Sequence, residues 1–597
     1  MVGESHKGYK EKKHGITHDM THDMAQGMTQ DMTQGRAANI TNGMAEGQAS
    51  FLHIVPQEQE TQLVPALPAI QDTNQHAQWQ LAQAIHALAR HRPAISAHQP
   101  IYASILGGLF VTLAGIIICI IQYPTVLGFV ISVLCFLFAA ITALGLFLWV
   151  KKPLTTQFDR VQRDGAQLDR AQPALPQPAT PLAPIAQFNY LLDEADLPDY
   201  AILLPLYREA KIVPQLMRNM AALIYPHNKL DILFIIEEKD KATHEAIVTE
   251  LAKSDLPARL CIVPDGVPRT KPRACTYALS QIDSDLCVIY DAEDCPHPMQ
   301  LREAAAHFTA YAHTPQGRQY ACFQAPLAIV KTGRELLARQ MQLEYAHLFG
   351  FLLPALARLE YPVPLGGTSN HLRTDILRHI HGWDAWNVTE DADLGIRLYE
   401  EGYLTGMLSC PTQETATRGF YNHLCQRTRW QKGHLQTWLV RLRHPIKLWR
   451  ALGARGFMVF QLIFLGRTIS GLAHIYMICH IISHIEHFPP SFDTPSAQFA
   501  LVIMVLSYLL IIMSHVVACV LQKQWHLLKH ILLLPVLWLL TACASLRAIK
   551  QILYQPAKWE KTEHEESAKA NTRASKPCDK RTKGQAHKHA GKNGKEK

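Results

Sequence analysis

Residues 286–296 have the sequence LCVIYDAEDCP, an apolar run followed at once by acidic residues and a proline. The run Leu286–Tyr290 is short, apolar and rich in strand-forming residues, and the chain must turn soon afterwards because Pro296 cannot continue a β-ladder. Three similar runs precede it, separated by segments with helical patterns: Ala201–Leu206, Ile232–Ile236 and Leu260–Val263. This alternation predicts a mostly parallel α/β sheet whose ligands bind at the carboxyl ends of its strands.

An acidic cluster follows the last of these strands and consists of Asp291, Glu293 and Asp294. Its position predicts that these carboxylates face the ligand site at the edge of the sheet. Carboxylate oxygens are the ligands that Mg²⁺ and Mn²⁺ prefer, and such ions share them with substrate phosphates. Either Glu293 or Asp294 is a candidate second ligand beside Asp291. The alternative interpretation is an acidic turn that caps the following helix.

A second acidic motif, Thr389-Glu390-Asp391, stands directly before a stretch with helical spacing at residues 394–399. Thr389 is a candidate N-cap, and capping alone would explain the motif. The functional interpretation makes Asp391, with Glu390 and Thr389 beside it, a general base that takes a proton from an attacking hydroxyl group.

A third motif combines cations with an aromatic ring. Gln426, Arg429 and Trp430 are spaced so that they share one face of a helix. An indole stacks on the C–H face of a sugar ring, and a guanidinium holds phosphate oxygens in a fixed geometry. The alternative is a basic amphipathic helix on a membrane surface, with headgroup contacts from Arg427, Lys432, Arg441 and Arg443.

Long apolar runs lie on both sides of this polar region. Residues 101–121 and 126–150 predict a transmembrane hairpin, since roughly 20 apolar residues span a bilayer. Residues 457–485 and 500–521 predict two further spans. Residues 531–546 are predicted to form an interfacial or re-entrant helix, with a full span as the alternative. The basic flanks of the hairpin place the polar region that follows it in the cytoplasm.

These runs divide the chain into six predicted regions. They are a polar disordered tail at 1–75, a pre-membrane helix and the hairpin at 76–153, a linker rich in Pro, Gln and Ala at 154–185, the α/β domain at 186–455, a membrane region at 456–550, and an amphipathic flank with a basic tail at 551–597.

Composition narrows the possible partners. The formal net charge is +8, and from Lys569 onward ten Lys or Arg face only two acidic residues. We expect this tail to be disordered, and no pattern of aromatic and basic residues elsewhere favours a nucleic acid partner. The 13 cysteines lack the spacing of a zinc site or a disulfide framework.

The three motifs, in this order and between apolar runs, resemble those of the membrane-integrated family-2 glycosyltransferases. That family includes bacterial cellulose, curdlan and hyaluronan synthases, and it carries a D-x-D metal motif, a T-E-D base motif and a Q-x-x-R-W acceptor motif in a GT-A fold. The resemblance covers roughly residues 100–565. It implies a GT-A glycosyltransferase domain joined to α-helical transmembrane segments.

The resemblance also implies roles for further residues. The donor nucleotide would lie near Tyr207, Glu209, Glu237, Glu238 and Asp240, and Lys271 would contact its diphosphate. Asp291 belongs to the same donor-binding set and to the metal ligands. The acceptor and diphosphate set would comprise Gly367, Thr368, Ser369 and Asn370 together with Gln426, Arg429 and Trp430. The sequence Gln324-Ala325-Pro326 resembles a Q-x-P element of the family. The sequence departs from the family where the metal motif reads D-A-E-D and where Tyr277 replaces a frequent Asn.

The implied activity is inverting, metal-dependent transfer from a UDP-sugar to a β-linked glycan at the bacterial inner membrane, with Mg²⁺ or Mn²⁺ as cofactor. The protein would be a multi-pass membrane protein with a cytoplasmic catalytic domain, and processive synthesis coupled to export is the preferred form. Single transfer to a lipid-linked acceptor is the alternative within this class. A transporter or scaffold with a degenerate domain is the alternative outside it, since Arg467 lies inside an apolar run. The sequence leaves the sugar, the linkage and any export partner open.

Overall fold

The computed structural model describes residues 87–99, 192–311, 318–330, 336–417, 419–483 and 495–555, with five isolated residues between 115 and 137. The predicted tail at 1–75 and the predicted linker at 154–185 lie outside the described residues. So do nearly all of the predicted hairpin and residues 556–597.

Two β-sheets form the centre of the described chain. The larger has seven strands in the order β3-β2-β1-β4-β8-β6-β9, and the smaller has three in the order β5-β10-β7. The strands are β1 (Tyr200–Leu206), β2 (Leu230–Glu237), β3 (Ala258–Val263), β4 (Leu286–Ile289), β5 (Cys295–Pro296), β6 (Tyr320–Gln324), β7 (Leu327–Val330), β8 (Asn370–Arg373), β9 (Leu404–Met407) and β10 (Thr412–Thr415).

The larger sheet is mostly parallel, as predicted. Strand β1 pairs in parallel with both β2 and β4, and β2 pairs in parallel with β3. Strand β8 is the exception, because it runs antiparallel to β4 and to β6. The order reverses between β1 and β4, and in open α/β sheets such a reversal opens a crevice at the carboxyl ends of the strands. The fold is therefore GT-A-like, with the crevice directly after Leu206 and Ile289.

The described helices, numbered in chain order, surround these sheets. They are α1 (Ala87–His91), α2 (Val213–Ala221), α3 (Lys241–Leu251), α4 (Lys271–Leu279), α5 (Gln300–Ala310), α6 (Leu336–His347), α7 (Leu353–Arg358), α8 (Thr374–His379), α9 (Glu390–Glu400), α10 (Phe420–Arg441), α11 (Pro445–Phe464), α12 (Gly466–Ser483), α13 (Pro495–Leu521) and α14 (Leu534–Tyr554). A π-helical turn (Leu348–Leu352) joins α6 to α7, and a 3₁₀ helix (Trp525–Leu533) leads into α14.

Apolar side chains cover both faces of the larger sheet. Alternate residues of β1 point to opposite sides, so Ile202 packs with α2 and α5 while Leu203 packs with α4, α8 and α9. A third apolar cluster joins α6, α9, α10 and α11. Burial on both sides explains why the strands are nearly continuous apolar runs.

The C-terminal helices differ in detail from the predicted spans. Among the described residues one helix, Trp525–Tyr554, is long and apolar enough to cross a membrane. It extends well beyond the predicted interfacial segment at 531–546, and its 30 residues are more than the roughly 20 that the full-span alternative requires.

The predicted single span at 457–485 is divided. The chain breaks at Leu465 between α11 and α12, and Pro445–Phe464 and Gly466–Ile475 meet the same criterion only when they are taken together as one span bent by 44°. Helix α13 contains the predicted span at 500–521, and its apolar part within the described residues is Val505–Leu521.

Candidate active site

Lys271 links two of the predicted motifs at the crevice. It begins helix α4, and its Nζ lies 2.5 Å from Asp291 Oδ1 and donates to the carbonyl oxygen of Gly367 at 2.5 Å. Burial alone would lower the pKa of Lys271, but the charges of Asp291 and Glu390 raise it. The ammonium group is therefore a fixed cation at the carboxyl edge of the sheet, where a diphosphate would need one.

The loop at residues 366–369 is held rigidly against this cation. The side chain of Gln324 accepts from the backbone N–H of Gly366 at 2.8 Å and donates to the carbonyl oxygen of Thr368 at 3.0 Å. The hydroxyls of Ser369 and Thr412 lie 2.6 Å apart, and Asn370 Nδ2 donates to the carbonyl oxygen of Gly366 at 2.8 Å. The family-like loop and the Q-x-P glutamine are thus one hydrogen-bonded unit.

Asp391 faces this loop from the first turn of α9. A Cβ atom placed on Gly367 would lie 3.3 Å from Asp391 Oδ2, so the bare glycine backbone borders the carboxylate. Asp391 Oδ1 accepts from the N–H of Ala392 at 2.8 Å. Burial raises the pKa of Asp391 to about 6, although that hydrogen bond and the charges of Lys271 and Arg429 oppose the rise. Burial and the charge of Asp391 raise the pKa of Glu390 to about 8.

Thr389 occupies the predicted N-cap position, but its side chain does not cap the helix. Its hydroxyl is buried and has no hydrogen-bond partner. The backbone before it is tied to helix α10 instead: Val388 N–H donates to Gln436 Oε1 at 3.2 Å, and Asn387 Nδ2 donates to Thr437 Oγ1 at 2.9 Å. The second and third motifs are therefore one packed unit.

Gly433 permits this close approach, and sequence reasoning missed it. A Cβ at this position would meet Thr389 Cγ2 at 2.3 Å and Thr389 Oγ1 at 2.5 Å. Such distances do not occur between real side chains, so helix α10 could not seat against the turn with any larger residue. The spacing of seven residues from Gln426 to Gly433 carried no recognisable signal.

We expect Gly433→Ala to lower both thermal stability and turnover. Overpacking of this kind costs about 1–3 kcal/mol, and relief by movement would displace Thr389 and the turn that carries Asp391. Melting temperature and initial rate in detergent would check this. Adding Thr389→Ser removes the nearer methyl group, so the double variant should recover part of the stability loss. A Gly433→Ala protein with wild-type stability and rate would contradict the tight contact.

The third motif lies on helix α10 as predicted. Gln426 is buried, and Arg429 is near enough for its charge to lower the pKa of Asp391. The ring of Trp430 lies 6.3 Å from that of Tyr345, and the Arg427 guanidinium carbon lies 4.3 Å from the centre of the indole. The indole therefore lies close to both an aromatic ring and a cation.

The membrane-surface interpretation of this helix is wrong for its basic residues. Arg427, Lys432, Arg441 and Arg443 are all buried, with at most 9% of their surface exposed. Arg427 pairs with Glu344 at 2.5 Å, and Lys432 donates to the carbonyl oxygen of Gln555 at 3.0 Å. These cations stabilise the protein interior and do not contact lipid headgroups.

The predicted donor residues follow β1 and β2. Tyr207 is partly exposed, and its N–H donates to Glu209 Oε2 at 3.4 Å. Asp240 caps α3 and accepts from the N–H of Arg208 at 2.5 Å, so it shapes the turn after β1.

Two further predicted donor residues have protein partners. Glu237 pairs with Arg273, whose Nη1 lies 3.3 Å from either carboxylate oxygen. Glu238 is exposed, and its Oε2 accepts from the N–H of Asp265 at 3.2 Å. The structure brings all five predicted residues to the same sheet edge, and their contacts to a nucleotide remain a prediction.

The acidic cluster divides into a buried and a half-exposed part. Asp294 is fully buried; its Oδ2 accepts from the N–H of Asp291 at 2.7 Å and from the Thr368 hydroxyl, and its Oδ1 has no partner. Burial, followed by the charge of Asp291, raises the pKa of Asp294 well above its usual range. Asp291 and Glu293 remain half-exposed at the crevice.

Within the described ranges, no three Asp, Glu, His or Cys side chains are arranged to hold a metal ion. Two half-exposed carboxylates nevertheless fit Mg²⁺, which proteins usually bind through one or two carboxylates and the substrate's own phosphates.

Glu414 is a further acidic residue that sequence reasoning missed. It lies on β10, and its side chain is hydrogen-bonded to Tyr345. Burial and the charges of Glu293 and Asp291 raise the pKa of Glu414 to about 8. It therefore lies near both the acidic cluster and Tyr345. No motif marks it, because the smaller sheet that positions it is built from short, distant segments.

Comparison with known families now identifies the chain. Residues 286–546 match the model for glycosyl transferase family group 2, and residues 201–363 match the model for glycosyl transferase family 2. The protein is a family-2 glycosyltransferase. The matched residues include all three motifs, so the prediction of an enzyme is confirmed and the alternative of a degenerate transporter or scaffold is set aside.

The transferase has curated relatives of low identity. It is 22% identical over 256 residues to the probable glycosyltransferase YdaM of Bacillus subtilis, a match covering 43% of this chain and 60% of that protein. It is 21% identical over 313 residues to the probable glucomannan 4-beta-mannosyltransferase 1 of Arabidopsis thaliana, covering 50% and 55%. It is 22% identical over 248 residues to the beta-monoglucosyldiacylglycerol synthase of a Synechocystis strain, covering 40% and 49%. The transferase thus spans about half the length of the curated relatives it matches.

Solved structures superpose on the transferase only in part, with low TM-scores. The mannosyltransferase PcManGT from Pyrobaculum calidifontis, in complex with GDP-Man and Mn²⁺, is 15% identical with a TM-score of 0.40, covering 70% of this chain and 99% of that one. The S. aureus protein TarS 1-349, in complex with UDP-GlcNAc, is 11% identical with a TM-score of 0.29, covering 61% and 93%. Scores this low support no inference about the transferase, and the fold assignment rests on its own sheet order.

Proposed function

We propose that the transferase moves a sugar from a UDP-sugar to a hydroxyl group of a β-linked glycan with inversion, at the inner face of the bacterial plasma membrane. The observation that carries this proposal is the position of Lys271. Its ammonium group contacts Asp291 and the carbonyl oxygen of Gly367, and Gly367 borders Asp391. Groups for the diphosphate and for the base thus meet in one crevice.

The residues divide the reaction between them. Asp391 removes the proton from the acceptor hydroxyl as its oxygen attacks the anomeric carbon. The bond from that carbon to the diphosphate oxygen breaks in the same displacement, which inverts the configuration and releases UDP. Lys271 and Arg429 balance the charge of the diphosphate, while Trp430 offers an apolar face to a sugar ring. Lys271 must exchange Asp291 for phosphate oxygens when the donor binds.

Asp291 and Glu293 would hold the divalent ion, and Asp294 would position Asp291 from inside the core. This choice follows because Asp294 Oδ2 already accepts from the N–H of Asp291 and lies inside the core. A bound Mg²⁺ or Mn²⁺ would supply positive charge that makes the diphosphate a better leaving group.

We expect kcat to rise with pH through about 6 and then level off, because Asp391 must be ionised to accept a proton and its pKa is raised to about 6. Below that value the carboxyl group is protonated and cannot act as a base. Turnover of a saturating donor from about pH 5 to about pH 8 would check this, with UDP affinity over the same range as the control. If kcat instead rose with pH through the ordinary pKa of an aspartate, Asp391 would not be the base.

Single transfer to a lipid acceptor is the second candidate. It is favoured by the similarity to a beta-monoglucosyldiacylglycerol synthase, and by the finding that one described helix, or two with the bent pair, can span a membrane. Processive synthesis is favoured by the similarity to a glucomannan mannosyltransferase and by the acceptor motif beside apolar helices. The multi-pass arrangement, with the hairpin at 101–121 and 126–150, is part of this proposal.

The test uses the full chain in detergent with Mg²⁺ or Mn²⁺ and a panel of UDP-sugars, with GDP-mannose included. We expect turnover of one UDP-sugar, loss of turnover on chelation, and a polymeric product on gels and linkage analysis. A product extended by a single sugar would establish the lipid-acceptor candidate. Turnover of GDP-mannose alone would overturn the choice of UDP.

A further inference from the structure

The segment before the first predicted span is docked on the catalytic domain. It comprises residues 92–99, follows α1 and contains a 3₁₀ turn at Pro93–Ile95. Ser96 is fully buried, and its hydroxyl donates to Asp384 Oδ1 at 3.0 Å. The N–H of Ala97 donates to the other oxygen, Asp384 Oδ2, at 2.6 Å. Asp384 itself is only 1% exposed.

The same segment is held from its other side by Arg443, just after the end of α10. The Arg443 guanidinium donates to the carbonyl oxygens of Ser96 at 2.8 Å and Gln99 at 2.5 Å. The ring of His98 meets the indole of Trp386 edge-on, with centres 4.7 Å apart. Buried donors and acceptors distant in sequence satisfy one another here, so the segment belongs to the folded domain.

Asp384 begins the loop that leads to the base. Its Oδ1 also accepts from the N–H of Trp386 at 3.1 Å, which closes a turn within the loop. Two residues further on, Val388 is bonded to Gln436 of α10. The loop is therefore clamped between residues 92–99 on one side and α10 on the other, and it ends at the turn that carries Asp391.

We propose that residues 92–99 form a strap that positions the loop carrying Asp391, and that Asp384 is the positioning residue through which the strap acts. The role of Asp391 as base rests on the proposed function, whereas the mechanical effect on the loop does not. The strap ends at Gln99, two residues before the predicted span at 101–121. It therefore connects the predicted N-terminal span to the loop that leads to Asp391.

Two substitutions at Asp384 distinguish the effect of the strap on the loop from the effect of the turn within the loop. Asp384→Asn keeps an oxygen that can accept from Ser96 and Trp386, but its NH₂ group faces the N–H of Ala97 and cannot accept from it. Asp384→Ala removes all three hydrogen bonds, those from Ser96 and Ala97 of the strap and that from Trp386 of the loop. If the strap acts on the loop, Asp384→Asn is impaired; if the internal turn alone matters, only Asp384→Ala is.

Ser96→Ala tests the strap from its own side. Its control is Ser280→Ala, because the exposed Ser280 lies directly after α4, away from the strap, and its hydroxyl donates to the carbonyl oxygen of Tyr277 at 2.7 Å. Each full-length variant in detergent is compared for melting temperature, UDP affinity, kcat, and hydrogen exchange of the amides at 386–390. Exchange needs no turnover, so a wild-type protein that turns over no donor would defeat the proposed function and leave the strap open to test.

We expect Ser96→Ala and Asp384→Asn to speed exchange at 386–390 and to lower kcat by about tenfold, since a misplaced base loses near-attack geometry. UDP affinity should fall less than kcat, because Lys271 lies outside the strap and is joined to the loop through its neighbour Thr270, which donates to the carbonyl oxygen of Ala385 at 2.8 Å. Unchanged exchange in both folded variants, matching Ser280→Ala, would overturn the proposal. So would an Asp384→Asn protein that behaves as wild type beside an impaired Asp384→Ala.

Discussion

Asp391→Asn should lower kcat by about 10²–10⁴-fold while leaving donor binding and stability nearly unchanged. The asparagine keeps the shape of the side chain, and its oxygen can still accept from the N–H of Ala392, which bonds Asp391 at 2.8 Å. What it loses is the ability to take a proton from the acceptor hydroxyl. Initial rates with a saturating UDP-sugar would measure the loss, and calorimetry with UDP would measure binding.

The neighbouring variant Glu390→Gln is the matched control for charge at this turn. Glu390 lies near Lys271, so replacing it with Gln removes a negative charge from this turn. The proposed base, Asp391, stays in place. We expect a smaller effect on kcat than that of Asp391→Asn. If Glu390→Gln were the more damaging change, the base would have to be reassigned to Glu390.

Asp393→Asn, two residues further along α9, should instead destabilise the protein by about 3–5 kcal/mol. Asp393 is fully buried, and its oxygens accept from Arg397 Nε at 2.8 Å and from Arg441 Nη2 at 2.7 Å. Arg441 also contacts Glu400 at 2.9 Å. Removing this charge takes the ion pair away from the buried Arg397 and leaves Arg441 with its contact to Glu400, and little solvent reaches either guanidinium to compensate.

A lower melting temperature in detergent would confirm this effect. The matched control is Asp375→Asn, whose carboxylate pairs with Arg373 at 2.9 Å but is 63% exposed, so water replaces the lost partner and little stability is lost. Wild-type melting of Asp393→Asn would show that the cluster contributes no net stability. The two variants thus distinguish the roles of two aspartates in one helix. Asp391 is expected to act in the chemistry, and Asp393 to stabilise the structure.

Much of the fold could be read from the sequence because its strands are buried on both faces. Predicted strands at 201–206, 232–236, 260–263 and 286–290 correspond to β1–β4 within two residues at each end. The enzyme class was predicted from the resemblance of the three motifs to a known family. Lys271, Asp291 and Asp391 each lie at or next to the end of an element that reaches the crevice. Local pattern was sufficient wherever the deciding interaction was between neighbours in the chain.

Prediction was incomplete where distant segments decide the environment of a side chain. The basic residues of α10 have the spacing of a membrane-surface helix, yet Arg441 is buried because Asp393 and Glu400 of another helix meet it. The predicted span at 457–485 is broken at Leu465, although its apolar composition is continuous. Neither outcome can be predicted from the local sequence, because both depend on contacts with segments that are distant in the chain.

Apolar periodicity and turn residues act over a few positions, so they were enough to predict that Asp291 and Asp391 lie at the ends of regular elements. Which carboxylates are available for chemistry depends on tertiary contacts. The tertiary structure turned Asp294 inward onto the N–H of Asp291, placed Glu414 beside Glu293, and seated Thr389 against Gly433. The physical reason is that the charge and reach of a carboxylate depend on desolvation and on neighbours across space, which no spacing along the chain records.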